Sequence, residues 1–323
     1  MKKMGLIGLC LAIVILFSFS INLVWAAEFP TKTITIICPH SAGGGTDALS
    51  RILAKVGEPI FKQTIVVMNR PGAAGAVGMT EGYLQKPDGY TLTLATVELI
   101  LHPLMGTVPW TPDVFKAVML VNSDPSAVTV QAKSPWNTLE DLINDAKKRP
   151  EEIKIGVSSP GTIWHLGAAA LEEKTGAKFI LVPYPGGAAP AVKDLLGGHV
   201  DVVTCSPAEV GAHVDAGTLR ILAVMSSKRD AKYTEVPTLK ELGYDVELGT
   251  WRAIVVPKDT PDEIVDILHQ GFKKVMNEEE FLQFMKNTGL GIDYRGPSDF
   301  GKMLVEQEKL FAPLLEKYGL LKK

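Results

Sequence analysis

Cysteine is scarce in this chain of 323 residues, which contains only Cys10, Cys38 and Cys205. So few cysteines exclude a small scaffold held together by several disulfides. Cys38 and Cys205 lie on predicted buried strands, where free thiols are commoner than a bridge, although a disulfide between them stays open. No cysteine or histidine pair has the spacing of a metal site, so the sequence predicts neither a metal nor a cofactor.

The sequence also lacks the two common nucleotide-binding patterns. It contains no Gly-x-x-x-x-Gly-Lys-Ser/Thr, and no dinucleotide glycine pattern with a later acidic partner. Neither sign of charge is in large excess, since 33 lysines and arginines face 36 acidic residues, for a net charge of −3. A slightly acidic chain without a basic cluster argues against nucleic acid as a partner.

A long apolar run occurs at only one place in the sequence, the N-terminus. Lys2 and Lys3 precede an almost wholly apolar stretch, residues 5–27. These features predict a secretory signal peptide over residues 1–26, cut after Ala26, and a mature protein in the periplasm. The run is about long enough to span a bilayer, so an uncleaved membrane anchor is the alternative.

Short β-branched runs alternate with amphipathic segments through the rest of the chain, which is typical of an α/β protein. The chain is too long for one ordinary core, so we expect two domains. The alternation begins at residue 32 and restarts after residue 125. We therefore expect two open sheets, each parallel with helices on both faces.

Amphipathic helices end the chain without a further set of strands, so we expect them to return to the first sheet. The chain would then cross between two lobes near residues 124–128 and 249–253, and two crossovers make a hinge. Lobe 1 is predicted to comprise residues 27–125 and 252–323, and lobe 2 residues 126–251. Ligands of open α/β sheets bind at the carboxyl ends of the strands, so two such edges that face each other form a cleft.

Three turns rich in small residues join predicted strands to helices, at residues 41–47, 156–165 and 184–188. Glycine lets backbone amides approach a ligand closely, and the helix that follows presents unpaired N–H groups with a partial positive charge. Each turn could be no more than a tight connection. Two such helix N-termini across a cleft would suit a carboxylate, whose oxygens accept hydrogen bonds from both lobes.

The whole mature chain resembles the solute receptors of tripartite tricarboxylate transporters, the Bug family. Its most specific segments are Pro-His-Ser-Ala-Gly-Gly-Gly-Thr-Asp at 39–47, Asn-Arg-Pro-Gly-Ala-Ala-Gly at 69–75 and Gly-Thr-Ile-Trp-His-Leu at 161–166, with 87–92, 182–184, 194–201 and 236–238. The resemblance implies a type II periplasmic-binding-protein fold and delivery of the ligand to membrane permease subunits. It also implies that a ligand carboxylate is held between the first glycine turn and the Gly-Thr-x-x-His turn. We expect a monomer.

Carried onto this chain, the resemblance nominates ligand-binding residues from the three turns: Ser41, Ala42, Gly43, Gly44, Asp47, Ser159, Thr162, His165, Tyr184 and Gly186. The candidate set is completed by Thr96, Glu98, Trp164 and Cys205. His165 is either a structural hydrogen-bond partner or a donor to an anion.

Departures from the family pattern bear on which ligand would bind. Glu98 stands where small polar residues are commoner, and Trp164 where a small residue is usual. If Glu98 faces the cleft, it would repel a second ligand carboxylate and favour a ligand with a cationic or hydroxyl group at its far end. Otherwise it is a solvated loop residue. Trp164 could stack on an aromatic ligand, or pack at the lobe surface.

The sequence thus predicts an extracytoplasmic receptor for a small organic carboxylate rather than an enzyme. An enzyme would need a nucleophile with a base, a carboxylate pair or a metal set, and His165 with Ser159 or Thr162 is the only candidate. The alternatives are a carboxylate-sensing receptor for a membrane signalling partner and a periplasmic enzyme on the same fold. Dicarboxylates, tricarboxylates, amino acids and aromatic acids all suit a single carboxylate anchor.

Overall fold

The computed structural model of the protein describes residues 29–322. The predicted signal peptide lies outside the described residues. The strands are β1 Ile34–Cys38, β2 Ile65–Asn69, β3 Thr91–Thr96, β4 Phe115–Pro125, β5 Ala127–Gln131, β6 Lys154–Val157, β7 Ile180–Pro183, β8 Val202–Cys205, β9 Leu219–Val224, β10 Gly249–Pro257 and β11 Ile292–Arg295. The α-helices are α1 Gly45–Phe61, α2 Ala76–Tyr83, α3 Glu98–Met105, α4 Leu139–Lys148, α5 Ile163–Thr175, α6 Ala188–Gly197, α7 Pro207–Asp215, α8 Asp262–Val275, α9 Glu279–Thr288 and α10 Pro297–Lys317.

These elements form two open sheets, as the sequence predicts. The first has the order β11-β4-β10-β3-β1-β2, and the second β7-β6-β8-β5-β9. We call each sheet with its helices a lobe. The chain passes from the first lobe to the second between β4 and β5, and returns between β9 and β10. Two of the final helices pack on the first lobe, since Phe272 of α8 and Phe281 of α9 belong to the same apolar cluster as Leu49 of α1.

The prediction that both sheets are parallel is wrong. In the first sheet β1 is parallel to β2 and β3, but β10 is antiparallel to β3 and β4, and β11 is antiparallel to β4. In the second, β6 is parallel to β7 and β8, but β5 is antiparallel to β8 and β9. For β5 and β10 the reason is the double crossing. Each of these two strands arrives from the other lobe and enters its sheet at the carboxyl end of the neighbouring strands. It therefore runs antiparallel to those neighbours.

Apolar packing on the sheet faces holds each lobe together. In the first lobe, Leu92 of β3 packs with Leu49 of α1 and Phe272 of α8. The second lobe has its own cluster around β5 and β6. A further cluster is continuous from Trp251 on β10 to Ile163 on α5, and so joins the two lobes. Each fully buried side chain of this kind contributes roughly 1.5–3 kcal/mol.

Local signals place several of the elements correctly. Thr138 caps α4 as predicted, in a capping box with Asp141. The sequence does not predict α3, β4, α7 or β11. Pro103 lies inside α3 and obscures its helical pattern, since proline usually interrupts a helix. Within residues 29–322, no helix combines the length and apolar character needed to cross a bilayer.

Candidate ligand-binding site

A cavity lies between the two sheets, where the carboxyl ends of β1, β3 and β6 face each other. Its volume is about 20 Å³, which is room for one or two water molecules. Among the predicted residues, those that line it are Ser41, Gly44, Thr96, Glu98, Trp164 and Gly186. It is also lined by residues that the sequence did not nominate: His40, Thr46, Ala74, Ser158, Ile163, Gly187, Ala188, Ala189, Glu209, Thr250 and Arg252.

The starts of three helices meet at this cavity. Gly44 is the N-cap of α1, Thr162 of α5 and Gly187 of α6. Within the described part of the chain, none of these three caps forms a side-chain hydrogen bond to its helix. The first N–H groups of α1 and α6 are therefore available to an anion, which the partial positive charge of each helix start also favours, whereas Ile163 N of α5 donates to Glu98 Oε1.

In the first turn, Asp47 organises the backbone rather than facing the cavity. It accepts hydrogen bonds from Gly43 N at 3.0 Å, from Arg51 Nε and from Asn69 Nδ2. Burial alone would raise the pKa of Asp47, but these donors together hold it below its usual value. Gly43 has a positive φ of 86°, which favours glycine. Ala42 and Gly43 are exposed and do not line the cavity.

The second turn uses its polar side chains internally. Thr162 is fully buried, and its Oγ1 donates to Ser159 O while it also pairs with Ser158 Oγ. His165 Nδ1 accepts a hydrogen bond from Gly161 N at 3.2 Å. Burial lowers the pKa of His165, so the imidazole is mostly neutral at pH 7. Of the two interpretations of His165, the structure therefore favours the one in which it locks the turn.

The third turn brings the lobes into backbone contact. Ser41 N donates to Gly186 O at 3.4 Å, and Ala74 N donates to Pro185 O at 3.1 Å. Tyr184 points away, since its hydroxyl donates to Asp194 Oδ2 at 2.6 Å. Burial and this carboxylate raise the pKa of Tyr184 to about 12.

Cys205 and Trp164 are both buried. Cys205 ends β8, where it is buried and free, as is Cys38. Burial raises the pKa of the Cys205 thiol. Trp164 is 5% exposed and belongs to the apolar cluster between the lobes, but it also lines the cavity. Eight predicted residues thus lie outside the lining: Ala42, Gly43, Asp47, Ser159, Thr162, His165, Tyr184 and Cys205. Ligand contact by any predicted residue stays a prediction.

Glu98 is not a solvated loop residue. It begins α3 and is 4% exposed. Its Oε2 accepts a hydrogen bond from Thr96 Oγ1, and its Oε1 accepts one from Ile163 N of the other lobe at 3.3 Å. His40 Nε2 lies 3.3 Å from Thr96 Oγ1. A carboxylate of the first lobe is thus placed at the N-terminus of α5.

Arg252 is the main cationic side chain that the sequence analysis missed. It lies on β10 and is 1% exposed, with Nη1 2.5 Å from Asp124 Oδ2 and Nε donating to Thr46 Oγ1 at 3.0 Å. Its Nη2 is 3.8 Å from Glu209 Oε1. Burial raises the pKa of Glu209, and Arg252 opposes that rise. Arg252 therefore links the strand that returns from the second lobe to the first helix start.

A local sequence pattern predicts where Glu209 lies, whereas no such pattern predicts the place of Arg252. Ser206 and Glu209 form a capping box at the start of α7, with Ser206 N donating to Glu209 Oε2 at 3.0 Å. The Ser-Pro-Ala-Glu pattern at 206–209 is typical of a helix start.

Within residues 29–322, no group of three or more His, Cys, Asp or Glu side chains could hold a metal ion.

Two open α/β sheets that the chain crosses twice, with helix N-termini converging on the cavity between them, define a two-lobed binding protein of the periplasmic type. The model of the family described as "Tripartite tricarboxylate transporter family receptor" matches residues 49–320. The chain belongs to this family, as its resemblance predicted.

Individual relatives agree with this assignment. The chain is 32% identical over 299 residues to a Cupriavidus necator protein named "UPF0065 protein in gbd 5'region", covering 92% of this chain and 90% of the relative. It is 31% identical over 269 residues to Protein BugT of Bordetella pertussis, covering 82% of each.

Solved structures extend the likeness to the fold. A TctC solute binding protein from Polaromonas, solved with no ligand, is 39% identical and covers 90% of this chain and 99% of that one, with a TM-score of 0.66. R. palustris Rpa4515, solved with adipate, is 27% identical over 90% of this chain and 99% of that one, with a TM-score of 0.86.

Proposed function

We propose that this chain is an extracytoplasmic receptor that binds a small organic carboxylate between its lobes and delivers it to the permease of a tripartite tricarboxylate transporter. The observation that carries the proposal is that the helix starts at Gly44, Thr162 and Gly187 converge on one cavity within the described residues, and that those at Gly44 and Gly187 accept no side-chain cap. Hydrogen bonds from such donors to a carboxylate each contribute about 1.5–3 kcal/mol. Family membership and the adipate complex of a relative support the same ligand class.

Binding would close the two lobes around the ligand. We assign residues 27–125 and 252–323 to lobe 1 and residues 126–251 to lobe 2. Because a carboxylate contacts both sets of helix starts only when the lobes are closed, the ligand favours the closed state by its differential contacts.

The location, partners and absence of catalysis belong to the same proposal. Residues 1–26 would be removed as a signal peptide after Ala26, leaving a monomeric periplasmic protein that docks on permease subunits. Catalysis is not supported by the geometry of the candidate residues, because His165 Nδ1 is used by Gly161 N and Thr162 Oγ1 by Ser159 O. N-terminal sequencing of the exported protein tests the cut, and residues 1–26 still attached would contradict it.

Calorimetry on protein that has been unfolded, dialysed and refolded tests the main proposal. Titration with a panel of mono-, di- and tricarboxylates and amino acids should show one-to-one binding, with the ligand recovered intact by mass spectrometry. A strain that lacks the receptor should lose uptake of the bound acid, and the wild-type gene should restore it. Chemical turnover of the ligand, or uptake that does not depend on the receptor, would contradict the proposal.

A further inference from the structure

Glu98 occupies a position that a ligand carboxylate could otherwise take. Its Oε1 accepts from Ile163 N at 3.3 Å, at the N-terminus of α5, and its Oε2 is held by Thr96 Oγ1. Helix N-termini favour negative charge through their unpaired N–H groups. One of the three helix starts at the cavity is therefore already satisfied from within the chain, which leaves those at Gly44 and Gly187 for a ligand.

Acidic groups also outnumber basic groups around the cavity. Among the described residues that line it, Glu98 and Glu209 are acidic and Arg252 is basic. Arg252 is already bound to Asp124, and in the described part of the chain no lysine or arginine nitrogen lies within 4 Å of Glu98. Burial lowers the pKa of both His40 and His102, although the charge of Glu98 acts on each in the opposite direction, so both imidazoles are mostly neutral at pH 7. Glu98 is thus a buried carboxylate without a cationic partner.

Entry of a ligand would release Glu98 from its present donor. A cavity of about 20 Å³ holds one or two water molecules, so an organic acid enters only when the lobes separate. Separation lengthens the distance between Glu98 Oε1 and Ile163 N, because the two residues belong to different lobes. A buried carboxylate that loses a donor is unfavourable unless another group replaces that donor.

We propose that Glu98 makes this receptor selective for an organic acid with one carboxylate and a cationic group at its other end, and against the dicarboxylate of the same length. The inference rests on the proposed function. The ligand carboxylate binds the helix starts at Gly44 and Gly187, and the cationic group replaces Ile163 N beside Glu98. A second carboxylate in that position faces a like charge from which water is excluded.

Two matched series of acids test this selectivity by calorimetry at pH 7. One series is adipate, 6-aminohexanoate and hexanoate, and the other is succinate, 4-aminobutyrate and butyrate. In the series that binds more tightly, the wild-type dissociation constant of the amino acid should be at least tenfold lower than that of the dicarboxylate. In the variant Glu98→Gln the two constants should differ by less than about threefold, because the charge that separates them is gone.

Glu306→Gln provides the matched control, since Glu306 is an exposed glutamate on α10, and it should keep the wild-type preference. Tighter binding of the dicarboxylate by the wild type, or an unchanged preference in Glu98→Gln, overturns the selectivity inference and leaves the proposed function standing. If folded wild-type protein binds none of the six acids, the selectivity inference fails, and the proposed function fails with it only if the wider panel of carboxylates does not bind either.

Discussion

Arg252 Nη2 lies 3.8 Å from Glu209 Oε1, so the returning strand β10 of the first lobe and helix α7 of the second share one buried ion pair. Asp124, at the end of β4 and just before the chain crosses to the second lobe, binds the same guanidinium. A single buried cation therefore lies beside both crossings of the chain and in one wall of the cavity.

Replacement of Arg252 by methionine should lower the free energy of unfolding by about 3–5 kcal/mol, because Asp124 and Glu209 would lose their buried cation. Urea unfolding followed by circular dichroism measures the loss. Lys258→Met is the control. Lys258 forms a 3.1 Å ion pair with Asp113 at the surface, and exposed pairs contribute about 0–1 kcal/mol. Equal losses in the two variants would show that the buried network is unimportant.

Glu209 should give the stability of the protein a pH dependence. Burial raises its pKa above the ordinary 4.5, and Arg252 offsets only part of the rise. A carboxyl group whose pKa rises on folding contributes stability that is full below its unfolded pKa and is lost as the pH rises through its folded pKa. The free energy of unfolding of Glu209→Gln, minus that of the wild type, should therefore increase from about pH 4.5 toward neutrality.

Urea unfolding curves of the wild type and of Glu209→Gln, recorded at a series of pH values, measure this difference. Glu306→Gln serves again as the control, and its difference from the wild type should vary little with pH because Glu306 is exposed. A difference for Glu209→Gln that stays flat or falls with pH would mean that the pKa of Glu209 is not raised in the folded protein.

Gly44 should tolerate alanine but not valine in the binding reaction. An added Cβ would lie 3.8 Å from Ala189 Cβ and 3.9 Å from Glu209 Oε1, which are ordinary contact distances. Because the φ of Gly44 is −86°, a side chain causes no backbone strain there. The two further methyl groups of valine would point between the lobes and keep them apart.

Gly44→Val should therefore retain the circular dichroism spectrum of the wild type while it weakens binding at least tenfold, or about 1.4 kcal/mol. Gly44→Ala is the control and should stay within about threefold of the wild type. Calorimetry with the acid that the wild type binds most tightly makes the comparison. Equal affinity in Gly44→Val and the wild type would remove Gly44 from the binding site.

Thr162→Val should weaken both folding and binding, although Thr162 does not line the cavity. Its hydroxyl donates to Ser159 O, and the turn that it holds presents the first N–H groups of α5. Loss of a buried hydrogen bond lowers stability by about 1–3 kcal/mol. We expect a loss of affinity in the same range, because Thr162 Oγ1 also pairs with Ser158 Oγ and Ser158 lines the cavity.

Thr175→Val separates these two effects. Thr175 is also a buried threonine of α5, and its Oγ1 donates to Leu171 O at the other end of the helix. The variant Thr175→Val should lower stability about as much as Thr162→Val does and leave the affinity for the ligand unchanged. If the two variants bind with the same affinity, the Thr162 hydroxyl has no role in shaping the binding site.

Several features of the fold follow from the sequence because their causes are local. The capping box at Thr138 needs only four neighbouring residues, and the strand-turn-helix alternation follows from short-range hydrophobic pattern. The glycines of the first and third turns are placed at the cavity in the same way, since Gly44 and Gly186 each lie between a strand and a helix that follows it. Such features do not depend on which strands pair.

The tertiary structure alone decided which side chains meet at the cavity. Arg252 contacts Thr46 across 206 residues of sequence, and Glu98 reaches Ile163 only because the two lobes face each other. The directions of β5 and β10 likewise depend on the double crossing of the chain. The sequence by itself determined most of the elements, the two sheets and the family. Pairing between distant strands determined the charges at the site, because no local pattern records which segments pack together.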